Sequence, residues 1–252
     1  MRRGEAEGMV TRKEPADRQP APIEILFEDG HLIAAVKPAG LPTANAPAGR
    51  PSLFTWLERR LTDSSGDKAF VGIVSRLDAP VSGVVIVAKS PAAAASLAGQ
   101  FRERTVAKLY VAVVAGRFPA PLGQWVAWND RLVRGEEKGP SRITPADPAG
   151  QDASTRARVI RRAGEVSLVE LEPLTGRRHQ LRAQLTARGC PIVGDRLYGS
   201  RLPFPLPGGI ALHAARLAFD HPIGGGEIAL ESPVGPAWRE AFPSLFSQPA
   251  AP

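Results

Sequence analysis

The chain has 252 residues, 43% hydrophobic and 23% charged, a balance typical of a globular protein with core enough to need no staples. Those figures exclude a disordered chain, a collagen and a disulfide-stapled miniprotein, and no apolar run approaches the roughly 20 residues of a membrane helix. Lysine and arginine outnumber aspartate and glutamate by 32 to 25, and residues 156–188 concentrate the surplus, with eight arginines against three glutamates. Guanidinium forks suit phosphate oxygens, so this cluster reads either as a nucleic-acid surface or as ordinary solvated faces. A lone cysteine, Cys190, cannot form an internal disulfide, and no apolar segment follows the charges of the N-terminus. Both features point to a reducing cytoplasm.

In chain order, residues 1–21 are polar and proline-containing and are expected to form a flexible tail. Ile23–Phe27 and Leu32–Val36 flank the turn Glu28-Asp29-Gly30-His31 and predict a β-hairpin. Ser52 caps a predicted helix over Leu53–Leu61, where Leu53, Trp56, Leu57 and Leu61 recur at helical spacing. A strand is expected at Phe70–Val74, a loop at Ser75–Gly83, and a strand buried on both faces at Val84–Ala88. Pro91 opens a helix to about Arg104, and strands follow at Lys108–Val114 and Trp125–Arg134. The Gly- and Pro-containing stretch 135–153 reads as an exposed loop. Thr155–Arg162 and Val166–Glu172 are predicted strands, and a helix is expected over roughly Arg178–Arg188, ended by Gly189. Its buried stripe would be Leu181 and Leu185, with Arg178 and Arg182 sharing another face. Strands at Leu212–Phe219 and Glu227–Glu231 and a helical turn at Pro236–Phe242 precede a short tail, 246–252. The class is α+β: a mixed, mostly antiparallel central sheet with flanking helices, forming one domain over 22–245.

Most cofactor chemistry finds no motif. One cysteine and four dispersed histidines give no zinc spacing, and there is no nucleophile elbow, phosphate loop or dinucleotide fingerprint. Two constellations remain. Asp78 lies in Arg76-Leu77-Asp78, on a loop between two buried strands, and is either a nucleophile or base or an ordinary turn residue. Thr175–Arg182, at a strand-to-helix junction, gathers donors that suit a polyanion or only cap a helix.

Ser75–Gly83 followed by VVIVAKS resembles the catalytic signature H-R-L-D-x-x-T-S-G of the RluA/RluC-type RNA pseudouridine synthases. The likeness continues in order through ILFEDGHLIAAVKPAGL (25–41), Lys108-Leu109-Tyr110-Val111-Ala112, PLTGRRHQLR (173–182), GCPIVGDRLYG (189–199) and ALHAARLAFDHP (211–222). It covers roughly residues 23–240, without the S4-type RNA-binding domain that some members carry. The resemblance implies a pseudouridine synthase fold and a cofactor-free, metal-free isomerisation of a uridine in transfer or ribosomal RNA. It makes Asp78 the essential carboxylate, acting on the ribose C1′ or the uracil ring, with Arg182 as its basic partner. Tyr110 would stack on the uracil and assist loss of the C5 proton, and Leu212 would line the uracil pocket. Arg76 would fill the space left by the extruded nucleotide, and Arg177, Arg178 and His179 would hold RNA or brace the motif loops. Ser75, Val81 and Gln184 depart from the family's usual His, Thr and His. Ser75 and Val81 leave open a binding factor on the same fold with weak or no activity. RNA is the expected partner, the protein is expected to be a monomer, and no membrane association is expected.

Overall fold

A computed structural model describes residues 23–62, 67–136, 139–145 and 147–247; the tail expected at 1–21 lies outside the described residues. The hairpin forms as strands β1 (Glu24–Glu28) and β2 (Leu32–Lys37), its turn closed by the Asp29 carboxylate, which accepts from the amides of His31 and Leu32. Helix α1 (Leu53–Leu61) starts at a reciprocal capping box between Ser52 and Thr55. The expected strand at Phe70–Val74 shrinks to β3 (Gly72–Ile73), while β4 (Ser82–Ala88) is buried along its whole length. Helix α2 (Pro91–Glu103) has Ser90 as its cap and proline in its first turn, where the missing amide costs nothing.

The second half is built from long strands: β5 (Ala107–Ala115), β6 (Trp125–Val133), β7 (Arg142–Ile143), β8 (Gln151–Ala163) and β9 (Val166–Pro173). The expected loop at 135–153 therefore holds all of β7 and the first turnings of β8. Its Gly and Pro residues suggested loop chemistry, but pairing to β6 from Gln151 onward supplies the ladder. Helix α3 (Gln180–Ala187) begins two residues later than expected. His179 takes a left-handed conformation at φ 56° just before it, so Arg178 lies outside the helix and shares no face with Arg182. A 3₁₀ turn at Arg196–Tyr198 precedes β10 (Leu212–Asp220) and β11 (Glu227–Glu231), and helices α4 (Pro236–Ala241) and α5 (Pro243–Phe246) close the chain. Phe246, expected to open a flexible tail, is the last residue of α5 and packs on the core.

The strands form one eleven-stranded sheet in the order β1-β2-β4-β10-β5-β9-β8-β6-β7, with β3 on β4 and β11 on β10. Only β4 and β10 run parallel; the other pairs are antiparallel. Alternation along β4 divides the core. Val85 and Val87 join Leu53 and Leu57 of α1 in the larger cluster, whereas Val84, Ile86 and Ala88 meet Ala93 and Leu97 of α2. The larger cluster continues through Ala112, Leu171 and Ala157 to Leu181 and Leu185, the stripe expected on α3.

The β4–β10 seam is tight. A Cβ on Gly83 would lie 2.3 Å from the Ala214 carbonyl oxygen and 2.5 Å from its nitrogen, and the φ of Gly83 is 121°. Beside it, the Ser82 hydroxyl lies 2.8 Å from His213 Nδ1, and His213 Nε2 lies 2.9 Å from the Ser232 carbonyl. A carbonyl only accepts, so the proton sits on Nε2 and the Ser82 hydroxyl donates to Nδ1. Burial lowers the His213 pKa against the pull of that carbonyl, and the ring is held neutral.

Two outcomes follow for this seam. Gly83→Ala should cost about 3 kcal/mol or more in urea unfolding, since both clash and backbone strain oppose it; a loss under 1 kcal/mol would contradict the close approach. The unfolded chain binds a proton at His213 more readily than the folded one. The stability this residue contributes is therefore full above its unfolded pKa and lost as pH falls below it, by at most about 1.4 kcal/mol per pH unit. Urea curves at pH 7.5 and 5.5 should show wild type losing more stability than His213→Gln, and equal losses would refute the assignment.

Candidate active site

The loop carrying Asp78 is fixed residue by residue. The Leu77 carbonyl accepts from the Thr43 hydroxyl at 2.8 Å, and the Leu77 amide donates back to it at 3.1 Å. The Val81 amide donates to the Asp78 carbonyl, the Gly40 amide and the Lys37 ammonium donate to the Ala79 carbonyl, and the Ile210 amide donates to the Pro80 carbonyl. Three of these six bonds join main chain to main chain, and the others use the side chains of Thr43 and Lys37. Val81, where a threonine was the usual residue, lies buried in the larger core cluster instead of adding a hydroxyl. Lys37 is fully buried at the end of β2, and its three protons find the carbonyls of Pro38, Leu41 and Ala79. Burial drags its pKa down to about 7 against the opposing charge of Asp78. Lys37 lies in the 25–41 segment of the likeness, and nothing in its local pattern marks this role.

With its backbone held, Asp78 presents its carboxylate to Arg182. Arg182 NH1 donates to Asp78 Oδ2 at 3.0 Å, and from its other edge Nε and NH2 make a bidentate pair with Asp195 at 2.7 and 2.8 Å. The Arg182 side chain is 5% exposed and that of Asp195 2%. Burial works against the Arg182 charge, but the bonds to Asp195 and Asp78 outweigh it and raise its pKa. Beneath the guanidinium lies the Tyr198 ring, 4.8 Å away. Asp195 and Tyr198 sit in the 189–199 segment that carries part of the family likeness; a buried arginine needing a second counter-charge was the signal that could have found Asp195.

α3 reaches this position through two buried glutamines one turn apart. Gln180 donates to the Ser154 carbonyl and the Thr155 hydroxyl, and accepts from the Thr175 hydroxyl and the Arg177 amide. Gln184 accepts from the Thr155 hydroxyl and donates to Asp130 and the Ala153 carbonyl. The departure at 184 is thus an anchor to β6 and β8.

Tyr110 lies half-buried on β5, opposite Ala214 of β10, and Leu212 on the same face is buried. Burial and the Asp78 charge both push the Tyr110 pKa up, so its phenol is neutral at physiological pH. His179 places Nε2 3.6 Å from Asp78 Oδ2, with its side chain only 9% exposed.

The arginine cluster is mostly committed inside the fold. Arg156 and Arg158 pair across the strands with Glu172 and Glu170 and flank Trp125. They project from the sheet face opposite Thr155 and α3. Arg188 pairs with Asp130 over Trp128; Arg161 and Arg162 donate to the carbonyls of Ser247, Phe118 and Ala120. Arg177 donates to the Asp152 carbonyl, and Arg178 to those of Glu136 and Gly139. Arg76 is different. It is exposed two residues from Asp78, and no ion pair is formed by it among the described residues.

A family model described as RNA pseudouridylate synthase matches residues 31–187, more than half of the chain. The chain belongs to that family. It is an isomerase of the RNA-modifying kind. The ribosomal large subunit pseudouridine synthase C of Vibrio cholerae is 33% identical over 226 residues, covering 88% of this chain and 69% of that one. The dual-specificity RNA pseudouridine synthase RluA of the same organism is 35% identical over 209 residues, covering 79% and 78%. Human RNA pseudouridylate synthase domain containing 4 superimposes with a TM-score of 0.69 at 22% identity, over 88% of this chain and 92% of that one, a likeness of fold. Among the described residues no three His, Cys, Asp or Glu side chains gather to hold a metal, and no helix is long and apolar enough to cross a membrane.

Removing one counter-charge should expose how much the buried arginine depends on it. Asp195→Asn should lower stability by about 2–4 kcal/mol, because an under-compensated buried cation remains. Urea unfolding checks this, and a change under 0.5 kcal/mol would place the anchoring charge elsewhere.

Proposed function

We propose that this chain isomerises a uridine in ribosomal or transfer RNA with Asp78 as the catalytic carboxylate. The observation that carries the proposal is Asp78 on a fully anchored loop, bonded to a buried arginine that is itself locked by a second carboxylate. The reaction breaks the N1–C1′ glycosidic bond, turns the uracil and forms a C5–C1′ bond; C5 loses a proton and N1 gains one. Nothing is added or removed overall, so the chemistry asks for no cofactor. Asp78 acts at C1′ or on the ring. Arg182 holds it in place and disperses the charge that changes as bonds break. Neutral Tyr110 stacks on the uracil and hydrogen-bonds to it, and Leu212 forms part of the apolar floor against which the base turns.

The uridine must leave its stack to reach Asp78, and in this reading Arg76 occupies the vacated position, which its exposure two residues from Asp78 supports. In this reading Arg177 and Arg178 brace the site more than they grip RNA, and the paired Arg156 and Arg158 contribute little. The protein works as a monomer without metal. The binding-factor alternative keeps RNA affinity without needing the Asp78 carboxylate.

Asp78→Asn should abolish conversion of ribosomal or transfer RNA while leaving RNA affinity within about three-fold, since charge is lost only at the reacting group. Retained conversion would refute the mechanism. Arg76→Ala should lower kcat/KM by about ten-fold or more, whereas Arg158→Ala should change it less than about two-fold, because only the former loses an uncommitted cation near the site. The reverse order would move the RNA to the opposite face.

A further inference from the structure

His179 holds a conformation that histidine seldom adopts. It is one of three non-glycine residues with positive φ among the described residues, its side chain makes no capping bond to α3, and its ring is almost wholly enclosed. Such strain persists where neighbours over-determine it, often at functional sites. Both ring nitrogens have a neighbour: Nδ1 lies 3.0 Å from the Tyr198 hydroxyl, and Nε2 lies 3.6 Å from Asp78 Oδ2. The Tyr198 hydroxyl also accepts from the Ser141 amide at 2.8 Å and lies 3.2 Å from the Ser141 carbonyl.

The hydroxyl has one proton, and its destination fixes the tautomer. If that proton went to Ser141, Nδ1 would carry the imidazole proton and the Nε2 lone pair would face a carboxylate. If it goes to His179, the shorter of the two contacts, Nε2 carries the proton and points it at Asp78. Electrostatics selects the second arrangement. Burial lowers the His179 pKa, with Arg182 and Arg178 adding to this and Asp78 and Asp195 opposing it, so the neutral ring is the form to be placed.

We infer that His179 is a positioning residue for Asp78: Tyr198, anchored on Ser141, holds it as the Nε2–H tautomer, and with Arg182 it occupies Oδ2 and leaves Oδ1 to face the substrate. This rests on Asp78 being the catalytic carboxylate. Of the two roles expected for His179, holding RNA or bracing the motif loops, this is a form of the second. The contact is longer than a hydrogen bond here, and catalytic hydrogen bonds of free enzymes commonly shorten once substrate is bound.

The test combines imidazole ¹⁵N NMR of the full chain with single-turnover conversion and RNA affinity for Asp78→Asn, His179→Asn, His179→Gln and Tyr198→Phe. Asparagine tolerates the left-handed backbone but reaches only the Nδ1 position, whereas glutamine can return a donor near Nε2. The resonance missing from His179→Asn identifies His179, which should be the Nε2–H tautomer in wild type and mixed in Tyr198→Phe. His179→Asn should slow single-turnover conversion by about ten-fold or more, the scale of a hydrogen bond to a charged group, with RNA affinity unchanged and partial rescue in His179→Gln. An Nδ1–H tautomer in wild type, wild-type conversion by His179→Asn, or a loss confined to RNA affinity would overturn the inference. The wild-type tautomer decides even if Tyr198→Phe fails to fold, and the resonance missing from His179→Gln gives the same assignment if His179→Asn does. Conversion by Asp78→Asn would instead fail the reading beneath it.

Discussion

A guanidinium removed from water is affordable to a fold only if carboxylates surround it, and Arg182 is removed almost completely. Asp195 takes two of its donors and Asp78 a third, while the Tyr198 ring lies against its face. Asp195 is the structural partner, buried and bidentate. Asp78 is the partly open partner, with 29% of its side chain exposed to solvent. One cation thereby ties the Asp78 carboxylate to the interior without enclosing it.

The rest of the structure brings these groups together from distant parts of the chain. β2 ends in Lys37, whose buried ammonium gathers the 38, 41 and 79 carbonyls, and β4 leads out of the Asp78 loop. β10 lies between β4 and β5, carrying Leu212 to the face shared by Tyr110. Gly83 lets β10 approach β4 closely enough for that arrangement. On the other flank, Gln180 and Gln184 fasten α3 to β8 and β6, so Arg182 projects from a rigid helix toward the loop.

Much of this was legible in the sequence because it depends on local pattern. The apolar run 84–88, the capped helix after Ser52 and the Leu181/Leu185 stripe each follow from spacing. The pairing of Asp78 with Arg182 came through family likeness, since no periodicity joins residues 104 apart. What stayed hidden depends on tertiary neighbours. Positive φ at His179 displaced the start of α3, and pairing with β6 turned a Gly- and Pro-containing stretch into β7 and part of β8. The arginines of 156–188 read either as a surface for RNA or as solvated faces; most of them pair with cross-strand glutamates or donate to carbonyls. Counting charge along a chain cannot say which charges face each other.

The most direct measurement is a pseudouridine map of ribosomal and transfer RNA from a strain lacking the gene, its parent, and the deletion strain carrying the gene restored. The account predicts that one or a few sites lose pseudouridine on deletion and regain it on restoration. Maps that are identical in all three strains would contradict it.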